Sequence, residues 1–219
     1  MSVNEKKLKL MKSIFSLDNR IIKLCAFFYN LMLLNIIFVL SCLPLITIGA
    51  AKASLYETML VLRKDITVPL LKTYVGCFKK SFKMGTLLWL VEAMISCFCL
   101  LDLFLLREEN TFSFQLFKIF IYSMFFLSVL TFFYAYPIMI RFQMKLIAVM
   151  KTSFLLTSLS FYWSFLFLGV ILLIILIMNL SLFSFLLSLS VFGIVGCALF
   201  TYAYQTIIEF TLKKYCQSN

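Results

Sequence analysis

Lys52, Glu57 and Glu92 fall inside long apolar stretches, accompanied by Asn35 and Thr47 and by a glycine, Gly49, between them. An ionised side chain costs about 2.5 to 3.5 kcal/mol at the centre of a spanning helix, so each such charge requires a partner, water or a function. Lys52 lies ten residues from the basic end of its apolar segment and Glu92 eight residues into its own. At about 1.5 Å per helical residue their depths differ by roughly 3 Å, which predicts a Lys52–Glu92 ion pair between two helices, with Glu57 as the competing partner. Such a pair is either a structural link or the coupling-ion or substrate site of a small transporter. Asn30, Asn35 and Thr47 are read as hydrogen-bonding across helices near Pro44. The functional alternative is that Pro44 and Gly49 interrupt the helix and free backbone groups for a ligand. Gln205 and Glu209, one turn apart, are read as lining the same vestibule or as a solvated helix end.

Other chemistries are excluded by composition. The chain has no His, which removes Ser-His-Asp catalysis, HExxH zinc sites and His-ligated haem. Its seven Cys are scattered without a CxxC pair and read as small buried hydrophobes. No Gly-rich phosphate loop is present. An aspartyl intramembrane protease needs two buried Asp, and only Asp102 lies near a span interior. No cofactor, no metal site and no enzymatic activity are therefore expected.

The elements that position these residues follow from the solvent. With 63% hydrophobic residues, 13% charged and a mean hydropathy of +1.06, the 219-residue chain has too much apolar surface for one soluble core. It reads as all-α: one integral membrane domain over 1–219, a polytopic bundle of about six spans at 21–42, 45–62, 84–106, 116–140, 154–178 and 182–208. Pro137 is expected to kink the fourth. Residues 1–20 read as a basic interfacial segment. The Ala51-Lys52-Ala53 triplet resembles a signal cleavage site, but the preceding apolar run is too long for one.

Seventeen of the twenty Lys and Arg fall in the segments that this topology places inside, so both termini are predicted to be cytoplasmic. Two basic segments on one side leave 45–62 as a second span or a deep re-entrant helix. The net charge of +11 then reflects orientation and anionic lipid headgroups, not nucleic acid. Between Asp65 and Lys83, Leu71, Val75, Phe78 and Phe82 form one stripe beside Lys72, Lys79, Lys80 and Lys83. This predicts a basic amphipathic helix on the inner leaflet, serving as a lipid anchor or as a dock for a cytoplasmic partner.

The chain resembles the YesL-like family of bacterial membrane proteins, which has no established biochemical activity. The resemblance is carried by Asn35, by Leu43-Pro44-Leu45-Ile46-Thr47-Ile48-Gly49-Ala50-Ala51 with Ala53 and Leu55-Tyr56, by Phe78-Lys79-Lys80-Ser81-Phe82-Lys83, and by Tyr136-Pro137 with Arg141-Phe142. Lys52 departs from that pattern. The resemblance implies a multi-pass protein of the bacterial cytoplasmic membrane with an accessory role in carbohydrate uptake or sensing, its partner a carbohydrate ABC transporter or sensor subunit. The alternative is a small secondary transporter or lipid-handling protein using Lys52, Glu57 and Glu92.

Overall fold

A computed structural model describes residues 20–107, 111–159 and 181–216, with four single positions between 160 and 180. The predicted interfacial segment 1–20, apart from its last residue, the loop at 108–110 and most of the fifth span beyond 159 lie outside the described residues.

Among the described residues every regular element is helical. Helix α1 (Arg20–Cys42) is followed by a 3-10 turn (Leu45–Thr47) and α2 (Ile48–Lys64). Then come α3 (Leu70–Leu105), α4 (Phe112–Phe142) and α5 (Leu146–Leu159). The chain closes with α6 (Leu182–Val191), a π-helical turn (Phe192–Gly196) and α7 (Cys197–Cys216). Four helices, Ile22–Cys42, Leu45–Lys64, Leu70–Leu105 and Phe112–Phe142, are long and apolar enough to cross a membrane.

The break expected between the basic segment and the third span is absent: α3 runs unbroken for 36 residues, about 54 Å. Pro69 starts it, and Leu, Lys and Met support a helix between Leu70 and Met84. The change from lysines to apolar residues at Lys83 and Met84 is a change of surroundings, not of backbone.

α2 packs antiparallel along the first half of α3. Gly49 meets Gly85 and Trp89 at one end, and Glu57 meets Lys80 nearer the other. The α1–α2 hairpin reaches past Gly49 to about the level of Glu92, and α3 continues from Ala93 to Leu105, about 20 Å farther. Along that extension Met94, Phe98, Phe104 and Leu105 are exposed, as are Phe112, Phe117 and Phe120 on α4. The outer face of α1 is likewise apolar and exposed at Leu24, Tyr29, Ile36 and Leu40.

Two buried clusters hold the bundle. One joins α2, α3, α4, α5 and α7 through Ala53, Tyr56, Leu88, Phe132, Tyr134, Ile138, Val149, Tyr204 and Ile208. The other joins α1, α2, α3 and α7 through Leu31, Leu34, Leu55, Met59, Tyr74 and Ala198.

Proline 137 lies inside α4 without ending it. A proline has no N–H to give the carbonyl four residues back, here that of Phe133. The Tyr204 hydroxyl of α7 donates to that carbonyl, so the gap is closed by a side chain from another helix.

Candidate functional site

The closest helix contact builds the first cluster. A β-carbon at Gly49 would overlap the Gly85 carbonyl and the Trp89 β-carbon, and one at Gly85 would come within 2.9 Å of the Gly49 carbonyl oxygen. With Ala50, Ala51 and Ala53 also fully buried, α2 and α3 approach backbone to backbone, as small residues permit in membrane helices. Side chains lean toward the N-terminus of their own helix, so on antiparallel neighbours Lys52 and Glu92 lean toward one another. Lys52 Nζ lies 3.0 Å from Glu92 Oε1 and 3.1 Å from Oε2. Tyr136 of α4 donates its hydroxyl to Glu92 Oε2 at 2.7 Å, and Lys52 Nζ sits 5.2 Å from the centre of its ring. The carboxylate thus receives two donors, and the ammonium gains a π face.

Glu57 is not Lys52's partner. It is paired one layer nearer the lysine-rich end, where Lys80 Nζ donates to Oε1 at 2.8 Å and the Ser81 hydroxyl to Oε2 at 3.4 Å. This pair edges a cavity of about 350 Å³ between α2, α3 and the α4–α5 junction. Gln143, whose left-handed backbone (φ 48°) ends α4, lines it together with Lys145. The same end carries Arg141 paired with Glu209 at 3.1 Å, and Arg63 donating to Thr206 at 3.1 Å with its guanidinium 4.6 Å from the Tyr202 ring. Gln205 is fully buried and donates to the Tyr56 carbonyl at 2.6 Å.

The uncharged polar positions are engaged with backbone. Asn35 is fully buried; its amide donates to the carbonyls of Phe192, at 3.3 Å, and Gly193, and its oxygen accepts the Ala198 N–H at 3.1 Å. A π turn takes its backbone pairs out of α-helical register, and one asparagine bridges the two sides of that interruption. Thr47 donates to the carbonyls of Ser41 and Pro44, both at 2.7 Å, closing the break at Pro44 from within. Asn30 holds the α2–α3 connection through the Ile66 carbonyl at 2.9 Å. In that connection Asp65 accepts from the Thr67 hydroxyl at 2.6 Å and its N–H at 2.9 Å, and these bonds hold its carboxyl below the usual range. Among the described residues no three Cys, Asp or Glu side chains converge as metal ligands.

Of the residues singled out for docking, Lys72, Lys79, Phe82 and Lys83 are exposed on α3, Phe78 is half-buried against Tyr74 and Phe82, and Lys80 is held by Glu57. The sequence reading assigned no role at the Lys52–Glu92 pair to Tyr136, named above only among the residues of the resemblance, or to Gly85. A glycine 36 residues after Gly49 was the available signal for the second, but it gains meaning only once two helices are set side by side.

A family profile described as "Protein of unknown function, DUF624" matches residues 31–103. This is the stretch holding the α1–α2 hairpin, the glycine contact and the Lys52–Glu92 pair. No curated protein and no solved structure matches the chain.

Proposed function

We propose that this chain is a non-enzymatic accessory protein of carbohydrate uptake or sensing, multi-pass in the bacterial cytoplasmic membrane, which offers the lysine-bearing half of α3 to a cytoplasmic partner. The observation that carries this reading is the exposure of Lys72, Lys79 and Lys83 on a stretch of helix continuous with a span. A rigid helix presents those charges at fixed spacing, which a loop does not. The carbohydrate link rests on the YesL-like resemblance alone.

In this reading the charged ends of α2, α3, α4 and α7 face the cytoplasm with both termini, six apolar segments enter the bilayer, and the α1–α2 hairpin is re-entrant. Support for the last comes from α3, which outruns the hairpin tip by about 20 Å, roughly two thirds of a hydrocarbon core of about 30 Å. The competing transporter reading uses Lys52, Glu57 and Glu92. The closed pairing of Lys52 with Glu92 and of Glu57 with Lys80 favours an architectural use of these charges over a coupling site.

The test is crosslinking in native membranes followed by mass spectrometry of what co-purifies with a tagged chain. Recovery of a sugar-transporter or sensor subunit, lost on changing Lys72, Lys79 and Lys83 to Glu while the protein stays abundant, is the expected result. Recovery of the chain alone, combined with proton-linked flux in vesicles that requires Glu92, would replace the accessory reading with the transporter.

A further inference from the structure

The cavity beside Glu57 has two unlike walls. Glu57, Lys80, Ser81, Gln143 and Lys145 supply polar atoms, whereas Met84, Met139, Ile140 and Met144 supply an apolar floor. Glu57 and Lys80 neutralise one another at 2.8 Å. No carboxylate pairs with Lys145 among the described residues, so the cavity keeps one uncompensated positive charge. It lies where α3 passes from Lys79, Lys80 and Lys83 to the apolar run beginning at Met84, with Phe82 and Leu87 exposed beside it.

We propose that this cavity holds the phosphate headgroup of an anionic phospholipid, with Lys145 and the Lys80 side of the Glu57 pair facing the phosphate and the methionine floor taking the first methylenes of the tails. The inference rests on the membrane reading above and not on the protein partner.

Three features select this occupant. Net positive charge between helices at the basic end of a membrane protein is the arrangement that recognises anionic headgroups. About 350 Å³ is at the small end of ligand cavities, enough for a headgroup and the start of its tails but not for a whole lipid, and the exposed apolar surface of α3 continues outward from it. Unbranched methionines adapt to chains of varied length and unsaturation, as a lipid site requires. Among the described residues no aromatic ring lines the cavity, so those residues offer a sugar no stacking platform.

The test uses the full chain purified in a neutral detergent, with phosphatidylglycerol, phosphatidylcholine or glycerol 1-phosphate added, read by native mass spectrometry and by thermal unfolding. One phosphatidylglycerol retained per chain in preference to phosphatidylcholine is expected. Lys145→Gln should weaken that retention about five-fold, since a lysine near an anionic surface contributes about 1 kcal/mol. Lys151→Gln, the same charge change on an exposed residue outside the cavity lining, should leave it intact. Competition by glycerol 1-phosphate at high concentration would further support recognition of the phosphate. Equal retention of the two lipids, or equal effects of the two substitutions, would overturn the proposal. Binding of glycerol 1-phosphate without phosphatidylglycerol would overturn the lipid as occupant. Either failure leaves the crosslinking result, and the accessory reading, where they stand.

Discussion

At the scale of single residues the two charge pairs define what can be removed and what must be removed together. Glu92→Leu leaves the Lys52 ammonium and the Tyr136 hydroxyl without their acceptor, and should lower stability by about 2 to 3 kcal/mol. Replacing Lys52 by Met, Glu92 by Leu and Tyr136 by Phe together should recover most of that loss, because a well-packed apolar set commonly matches a buried ion pair. Thermal unfolding in detergent reads both. A triple variant as unstable as Glu92→Leu would mean that the pair does more than hold helices together.

Tyr204 permits a sharper experiment. Tyr204→Phe should cost about 1 to 2 kcal/mol by orphaning the Phe133 carbonyl. The same change in a Pro137→Ala background should cost far less, because residue 137 then has its own N–H to give. Equal costs in the two backgrounds would show that the hydroxyl serves something other than the proline gap. The Lys52–Glu92 contact was legible in the sequence because two depths could be compared along two helices. Tyr136 and Tyr204 were not, since their roles depend on the rotation of α4 and α7 about their own axes, which an apolar run without a polar face does not encode.

At the scale of elements, the α2–α3 contact is the tightest in the fold and the least tolerant. Gly49→Val should prevent α2 from reaching α3, because its β-carbon would meet backbone that cannot move aside. Loss of folded protein from the membrane fraction is expected. The mild substitution Gly76→Ala, where a β-carbon meets nothing within 4 Å, should leave abundance unchanged. The all-helical class and the limits of α1 and α2 were readable from apolar length and from Pro44. The continuity of α3 was not, because the hydropathy pattern records where the solvent changes while the backbone obeys propensity, and lysine and leucine are both good helix formers. Asp65 turns the chain between α2 and α3 through its bonds to Thr67. Its contribution is present while it is ionised and is lost as pH falls through its lowered pKa.

At the scale of the whole molecule, the offset between the α1–α2 hairpin and the α3–α4 hairpin makes the apolar surface taller than one helix pair alone. If the first hairpin is re-entrant, a single cysteine at Leu45 or Ile46, both exposed at its tip, in a chain whose native cysteines are changed to Ser, should resist impermeant thiol reagents added from either side. Reaction with an impermeant reagent from the outside would show that α1 and α2 cross completely. The bias of basic residues toward one end was plain from the sequence. The step between the hairpins was not, because it follows from which residues of α2 touch which of α3.

The asparagine that bridges the π turn ties together parts of the chain made at different times. Asn35 is 157 to 163 residues ahead of its backbone partners at Phe192, Gly193 and Ala198. At about 5 to 20 residues per second, a ribosome takes on the order of 10 to 30 s to cover that distance. Throughout that interval α1 carries a carboxamide whose native partners have not yet been synthesised, on a helix otherwise apolar enough to enter lipid. Helix α1 therefore needs water or a surrogate partner in the insertion machinery until α7 arrives, and the order of translation itself becomes a determinant of whether this bundle closes.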